Sequence, residues 1–420
     1  MSDLHVAFVG LGYIGLPTAV VLANSDVNVT GIDVNAANVE RINRGEVTIV
    51  EPGLQEELAQ ALESGRFRAT TEQVHANAYI IAVPTPFTDT HDVDMKFIYS
   101  AAESIAPQLE GDELVVLEST SPPQTTAKMA KRLLELRPDL AADGTENPDN
   151  KPVIYFAHCP ERILPGKAME ELRSNDRIIG GRTPEATRRA TEIYAAFCDG
   201  ELLPTDDVTA EMAKLTENTF RDVNIAFANE LSLIADKLDI NVWELIELAN
   251  HHPRVNILQP GPGVGGHCIA VDPWFIVAAD PENSKLIHTA RNVNDGKPAW
   301  VKAQVKEAIS ATNAQSVAVL GLAFKADIDD LRESPALNIA VDLAEELEGI
   351  TFHAVEPNIS ELPKRLKGFD NVTLTALDEA IAKADVVLLL VDHKEFKALG
   401  TTFLEGKTVV DTKGTWSRFL

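Results

Sequence analysis

The 420-residue chain reads as an α/β protein, and three observations carry that reading. The apolar run His5 to Val9 leads directly into Gly10-Leu-Gly12-Tyr-Ile-Gly15 and then into a helical pattern from Leu16 to Asn24. Strand, glycine turn and helix in that order open a parallel sheet. The pattern begins again after Pro298: helix Val301 to Ser310, strand Ser316 to Leu320, the turn Gly321-Leu-Ala-Phe324-Lys325, helix Ala336 to Leu347 and strand Ile350 to Val355. Between the two, Thr209 to Lys237 holds no proline or glycine and repeats apolar residues at helical spacing, a helix of roughly 40 Å at ~1.5 Å per residue. The prediction is two Rossmann-like, doubly wound parallel-sheet domains joined by a long central helix, divided at 1–203, 204–300 and 301–420.

In the first turn, Gly10 makes the bend, Gly12 lets a pyrophosphate approach the backbone and Gly15 lets helix pack on strand, so the helix N-terminus faces phosphate. A second strand, Val27 to Ile32, ends at Asp33, where a carboxylate accepts both ribose hydroxyls and repels a 2'-phosphate, which favours NAD over NADP. Helices near Ala36 to Arg44 and Gln55 to Ser64 and strands Ala78 to Val83 and Glu113 to Glu118 continue the alternation. Both strands end in hydroxyl-bearing turns, Pro84-Thr85-Pro86 and Ser119-Thr120-Ser121-Pro122. Thr85, Thr120 and Thr126 are therefore candidate cofactor contacts, with plain turn or N-cap threonines as the alternative. In the second unit, Glu356 falls where Asp33 falls in the first. Two such domains imply a cofactor and a nucleotide-bearing substrate.

Composition removes several classes of function. A formal charge of −27 and a pI near 4.7 leave no basic footprint for nucleic acid. Three widely spaced cysteines make no disulfide framework and point to a reducing compartment. The apolar start is broken by Gly10, Gly12 and Gly15 where a signal peptide needs a continuous run, and no later run approaches the ~20 residues of a membrane span. The expectation is a cytoplasmic protein with no membrane or nucleic-acid partner.

Chemistry concentrates in Asn256 to Pro273, where Gly261, Gly263, Gly265 and Gly266 precede Cys268 and Asp272 follows it. A thiol there can be a metal ligand, a packed core residue or a nucleophile. His251, His252, His267, Cys268 and Asp272 include no CxxC or HxxxH pair, so no metal is expected. A glycine-rich loop buries a thiol poorly, and nucleophile is the favoured reading. Such a cysteine traps an aldehyde as a thiohemiacetal, which is oxidised to a thioester and hydrolysed to an acid. Lys214, Asn218 and Arg221 follow one another along one face of the long helix, either as a solvated stripe or to meet a developing oxyanion. Asp272 is placed to orient water or take a proton. After strand Val153 to Ala157, Glu161 and Arg162 face a ligand or form a surface ion pair, and Glu161 is a candidate for the hydrolysis step. Arg332 is either a substrate ligand or part of a helix cap with an ion pair. Cys159 reads as a packed thiol.

These motifs together, with Glu211-Met-Ala-Lys214-Leu-Thr-Glu-Asn218 and Gly265-Gly-His-Cys268, resemble the UDP-glucose/GDP-mannose dehydrogenase family across essentially the whole chain. The resemblance implies NAD-dependent, four-electron oxidation of a UDP-sugar 6-hydroxymethyl to a carboxylate, by a dimer or larger assembly. It matches Cys268 to the nucleophile, Lys214 to the proton-transferring lysine, and Asn218 and Asp272 to its supports. His267, Asp272-Pro-Trp-Phe-Ile276 and His252-Pro-Arg254-Val-Asn256 are most similar to the branch acting on N-acetylhexosamines, whereas Ala270 stands where many of that branch carry proline. In that branch the residues matching Arg162, Ile163, Arg221, His252, Arg254, Gly265, Phe324 and Arg332 contact substrate. Those matching Tyr13, Ile14, Thr85, Thr126 and Lys325 contact NAD. The implied homodimer forms through the central helix. A catalytically silent NAD-binding scaffold on the same fold is the reading that intact Lys214, Asn218, Cys268 and Asp272 argue against.

Overall fold

The computed structural model describes residues 4–416 apart from 48, 50, 87, 89–92, 165 and 267. The chain forms two compact units, Met1–Thr216 and Glu217–Leu420.

Among the described residues, nine strands build the sheet of the first unit: β1 (His5–Val9), β2 (Asn28–Ile32), β3 (Phe67–Thr70), β4 (Ala78–Ile81), β5 (Leu114–Leu117), β6 (Ala141–Ala142), β7 (Val153–His158), β8 (Arg177–Gly181) and β9 (Leu202–Asp206). Their order is β3-β2-β1-β4-β5-β7-β8-β9, with β6 added to β7. β1 pairs in parallel with β2 on one side and β4 on the other, so the chain leaves the middle of the sheet in opposite directions and opens a crevice at the strands' carboxyl ends. Val6 and Phe8 face one apolar cluster while Ala7 and Val9 face another. Successive residues of a strand point to opposite faces, and helices cover both, which is why these strands are continuous apolar runs.

Two features of this sheet differ from the prediction. β7 and β8 pair antiparallel, and strands β8 and β9 with helices Ala168–Ser174 and Pro184–Tyr194 occupy the stretch before Asp207, to which the sequence reading assigns no element. β8 begins with an arginine and ends in two glycines, and β9 carries Pro204, which an edge strand tolerates because one side of its backbone needs no partner. Neither shows the alternation that marks a strand in a sequence.

In the second unit β10 (Ser316–Leu320), β11 (Thr351–Val355), β12 (Val372–Leu374), β13 (Val386–Leu389) and β14 (Thr408–Asp411) pair in parallel in the order β12-β11-β10-β13-β14. The alternation of β1 recurs in β10, with Val317 and Val319 in one cluster and Ala318 and Leu320 in the other. Ser334 caps the helix Pro335–Glu346 by accepting from the Leu337 N–H, and proline at the first turn forfeits only an amide that has no partner there.

The long helix runs from Asp207 to Lys237, close to its prediction. The helix expected to begin at Val301 instead spans Lys285–Thr312 with Pro298 inside it. Its buried stripe, Ala290, Arg291, Asn294, Lys297, Val301 and Val305, continues at helical spacing across the proline. Packing along that stripe outweighs the one backbone hydrogen bond that Pro298 cannot make.

Candidate active site and nucleotide cradles

In the first unit the glycine turn separates positions the protein needs from one it leaves open. A Cβ on Gly10 would lie 2.3 Å from the Ala82 carbonyl oxygen, and one on Gly15 would lie 1.9 Å from that of Gly10. Nothing stands within 4 Å of the corresponding position on Gly12. The backbone there is bare for a ligand, which fits a pyrophosphate laid against the start of helix Gly15–Ala23. Asp33 Oδ2 accepts from the Leu11 N–H at 3.0 Å and Oδ1 from that of Asn35 at 2.8 Å, which aims the carboxylate at the end of β2. Ile14 is the N-cap residue of the helix, and the Tyr13 hydroxyl donates to Glu51. Thr85 Oγ1 donates to the Thr120 carbonyl at 2.7 Å, tying together the two turns beside the crevice.

Thr126 is fully buried, and Glu211 takes up its N–H and its hydroxyl, both at 2.7 Å, together with the Gln124 N–H at 2.5 Å. Glu211 lies on the long helix three residues before Lys214, so that helix grips the N-terminus of helix Thr125–Leu136. Burial pushes the Glu211 carboxyl up to about 7 against the pull of its three donors.

Glu161 is buried, and its ion-pair partner is the buried Arg177 at 2.8 Å. Its other oxygen accepts from the Arg162 and Ile163 N–H groups at 2.7 and 3.1 Å. Arg177 lies 5.1 Å from the ring centres of Tyr194 and Phe197 and 3.8 Å from Glu118. Burial and the neighbouring Glu161 push the Glu118 carboxyl up to about 8. The sequence reading gives neither Arg177 nor Glu118 a role. Both are charges set at the ends of apolar strand runs, RIIGG and LVVLE, and that was the available signal. Cys159 is buried and its thiol is pushed up to about 12 by burial, as fits a packed thiol. Arg162 and Ile163 are half-buried, and Arg162 donates to the Asp176 carbonyl at 2.9 Å.

The second unit assembles the thiol side. Cys268 is exposed at the end of the glycine loop, and its carbonyl accepts from the Asp272 N–H at 2.8 Å. Asp272 is buried as the first residue of helix Asp272–Ala279, and its Oδ2 accepts from Asn218 Nδ2 at 2.6 Å. A Cβ on Gly265 would lie 2.5 Å from the Glu333 carbonyl oxygen and 3.1 Å from Phe324 Cβ, so glycine lets the loop lie flush on the turn after β10. Cys268, Asn218, Asp272, Gly265 and Phe324 thus belong to one connected region. Arg221, His252 and Arg254 are exposed, the last two in the turn before the loop. Arg332 is exposed and bound in a fork to Asp330 at 2.7–3.2 Å. Lys325 is exposed beside Phe324. Lys214, half-buried, shares its helix face with Asn218 one turn on. His267 lies outside the described residues.

Glu356 holds the second glycine turn much as Asp33 holds the first. Its Oε2 accepts from the Leu322 and Ala323 N–H groups at 2.8 and 3.0 Å and from His393 Nε2 at 3.0 Å. The Asp327 N–H donates to His393 Nδ1, which leaves the ring proton on Nε2. The carboxylate thus holds the Leu322 amide as Asp33 holds that of Leu11, and takes in addition the Ala323 amide, whose counterpart in the first turn is that of Gly12.

Three family profiles match the chain in succession: the NAD binding domain of the UDP-glucose/GDP-mannose dehydrogenase family over residues 4–198, its central domain over 208–296 and its UDP binding domain over 318–418. The chain belongs to the UDP-glucose/GDP-mannose dehydrogenase family. It is an NAD-dependent nucleotide-sugar dehydrogenase. The UDP-N-acetyl-D-mannosamine dehydrogenase of Escherichia coli (strain K12) is 55% identical over 424 residues, covering 99% of this chain and 100% of that protein. The NDP-N-acetyl-D-galactosaminuronic acid dehydrogenase of Ralstonia nicotianae is 52% identical over 412 residues, covering 98% and 96%. Among solved structures, the UDP-N-acetyl-mannosamine dehydrogenase of S. aureus aligns with a TM-score of 0.84 at 42% identity over 98% of this chain and 95% of that one. No helix among the described residues is long and apolar enough to cross a membrane.

Proposed function

We propose that this dehydrogenase oxidises the C6 hydroxymethyl group of UDP-N-acetyl-D-mannosamine to the carboxylate for surface polysaccharide synthesis. The observation that carries the chemistry is an exposed thiol, Cys268, one helical turn from a buried carboxylate, Asp272, that Asn218 holds at 2.6 Å. The full-length relatives named UDP-N-acetyl-D-mannosamine dehydrogenase support the choice of sugar.

NAD, when bound in the first unit, supplies the hydride acceptor for each oxidation. In the first step the alcohol loses a hydride and a proton, and Lys214 takes up the proton. Cys268 thiolate then adds to the aldehyde carbon, forming a C–S bond and a thiohemiacetal oxyanion that Lys214 and Asn218 stabilise. Loss of a second hydride leaves a thioester on Cys268. Water oriented by Asp272 adds to it, the C–S bond breaks, and the acid and the free thiol result. One sugar, two NAD and one water give one uronate, two NADH and three protons. Glu161 acts in this scheme by shaping the turn that presents Arg162 and Ile163, because its oxygens accept from three donors.

The division of labour follows the domain plan: residues 1–203 for NAD, 204–300 for the thiol and dimer contacts, and 301–420 for the UDP-sugar. Tyr13, Ile14, Asp33, Thr85, Thr120, Thr126 and Lys325 serve the cofactor. Arg162, Ile163, Arg221, His252, Arg254, Gly265, Phe324 and Arg332 serve the substrate. The homodimer forms through the long helix, where Phe220, Phe227 and Ile234 stand 70%, 54% and 47% exposed at seven-residue spacing. Such a stripe is apolar surface that a second helix covers. The enzyme works in the cytoplasm, where its two nucleotides are found.

The test is NADH formation with UDP-N-acetylmannosamine, UDP-N-acetylglucosamine, UDP-N-acetylgalactosamine and UDP-glucose in turn. Two NADH per sugar, fastest with the first, is expected. The 52% identity to a relative named for N-acetylgalactosaminuronic acid favours the galacto sugar as the second reading, and a preference for that sugar would replace the first.

A further inference from the structure

A chain of buried polar groups in the second unit ends on the cysteine loop. Arg291, 2% exposed, donates from Nη1 to Asp222 Oδ1 at 2.5 Å, and Asp222 is fully buried. Asn294, also buried, donates from Nδ2 to the same oxygen at 2.8 Å and to the Asp222 carbonyl at 3.1 Å. Its Oδ1 accepts from Asn229 Nδ2 at 2.9 Å. Asn229 Oδ1 in turn accepts from the Gly261 N–H at 2.9 Å.

The direction of every bond in this chain follows from its first member. An ionised carboxylate only accepts, so Asn294 must turn its NH2 toward Asp222 and its oxygen toward Asn229. Asn229 must then turn its NH2 toward Asn294, which leaves its oxygen for the loop amide. A reversed Asn229 would set two donors against each other at Gly261, and a buried unmade bond costs about 1–3 kcal/mol.

Asn218 and Asn229 are eleven residues apart on one helix, about three turns, and therefore share a face. That face holds both ends of the cysteine segment, Asn218 at Asp272 and Asn229 at Gly261. Between these two points lie Gly263 and Gly266 at positive φ, 149° and 86°, a backbone whose freedom makes distant anchors matter.

We infer that Asn229 and Asn294 are positioning residues for the reaction: they clamp the upstream end of the cysteine loop to the helix face that carries Asn218, with the sense of the clamp set by Asp222. The inference rests on the proposed role of Cys268. It deepens that role by assigning the thiol's placement to buried groups that bond to the loop backbone and to one another.

The experiment compares Asn229→Ala, Asn294→Asp and the double exchange Asp222→Asn with Asn294→Asp. In Asn294→Asp two carboxylates face each other and the clamp opens. The double exchange restores a donor at 222 and an acceptor at 294, so every bond to Asn229 and Gly261 can form again. Expected are a fall in kcat of about tenfold or more for Asn229→Ala and Asn294→Asp, by loss of near-attack geometry, with KM for NAD unchanged, and recovery of most of kcat in the double exchange. Amide exchange in the 256–266 peptide should quicken in the two single variants and slow again in the double one. Wild-type kcat in Asn229→Ala, or a double exchange no better than Asn294→Asp alone, overturns the inference. The exchange measurement needs no sugar, so it tests the clamp even if the wild-type protein oxidises none of the four UDP-sugars, a result that would instead sink the proposed function.

Discussion

At the scale of single residues, one side chain takes different roles according to what surrounds it. Cys159 sits in the apolar cluster of the first sheet, where desolvation opposes a thiolate, whereas Cys268 is exposed at a loop end. Replacing Cys268 with serine should abolish uronate formation, because a serine hydroxyl at neutral pH is a far poorer nucleophile. Cys159→Ser should leave the NADH yield per sugar unchanged, and both are read by NADH and product analysis. Lys297 gives a pH signature. It is 2% exposed, held by Ser232 and lying 3.8 Å from the Trp300 ring centre, and burial lowers its ammonium to about 8. Between about pH 8 and 10.5 the unfolded chain holds this proton and the folded one does not, so its contribution to stability rises with pH across that window. Below pH 8 both states are charged and the folded one bears the burial penalty. Lys297→Met should therefore be more stable than wild type at pH 7 by about 1–3 kcal/mol, with the gap closing by pH 10, as denaturant unfolding at the two pH values will measure.

At the scale of elements, the long helix joins several tasks along its length. Glu211 grips the helix Thr125–Leu136, Asn218 orients Asp272, and Asn229 meets the loop at Gly261. Its exposed stripe leads to a further prediction. Phe227→Asp with Ile234→Lys should convert the proposed dimer to monomers in sedimentation velocity, since charges on a stripe that a second helix covers would be buried unpaired. An unchanged sedimentation coefficient would place the dimer contact elsewhere. This helix was legible in the sequence because 29 residues without glycine or proline keep one period. The helix Lys285–Thr312 was not, because Pro298 reads locally as a boundary and only the buried stripe from Ala290 to Val305 carries the helix through it. Strands β8 and β9 escaped notice for a related reason: short, glycine-ended or edge-placed strands owe their pairing to neighbours rather than to their own pattern.

For the whole molecule, 64 acidic residues against 37 basic ones leave a net charge of −27, which repels itself within the folded state. Screening shortens the reach of that repulsion, to roughly 3 Å at ~1 M salt. The melting temperature should therefore rise as sodium chloride is added from 20 mM to 0.5 M, and a flat or falling curve would show that the charges are already balanced locally. Features that depend on neighbouring residues could be read from the chain alone: the glycine turn with Asp33, the crowded glycines before Cys268, the two sheets and the helix between them. Their sterics and periods act over a few residues, so local sequence specifies them. The folded structure decided the rest: that Glu161 pairs with Arg177 rather than with Arg162, that Glu356 fills the amides of the second turn, and that Asn229 holds Gly261. These bonds join residues 16, 34 and 32 positions apart. Each exists because a polar group inside a packed core must find whatever partner the fold brings to it, and no local pattern names that partner.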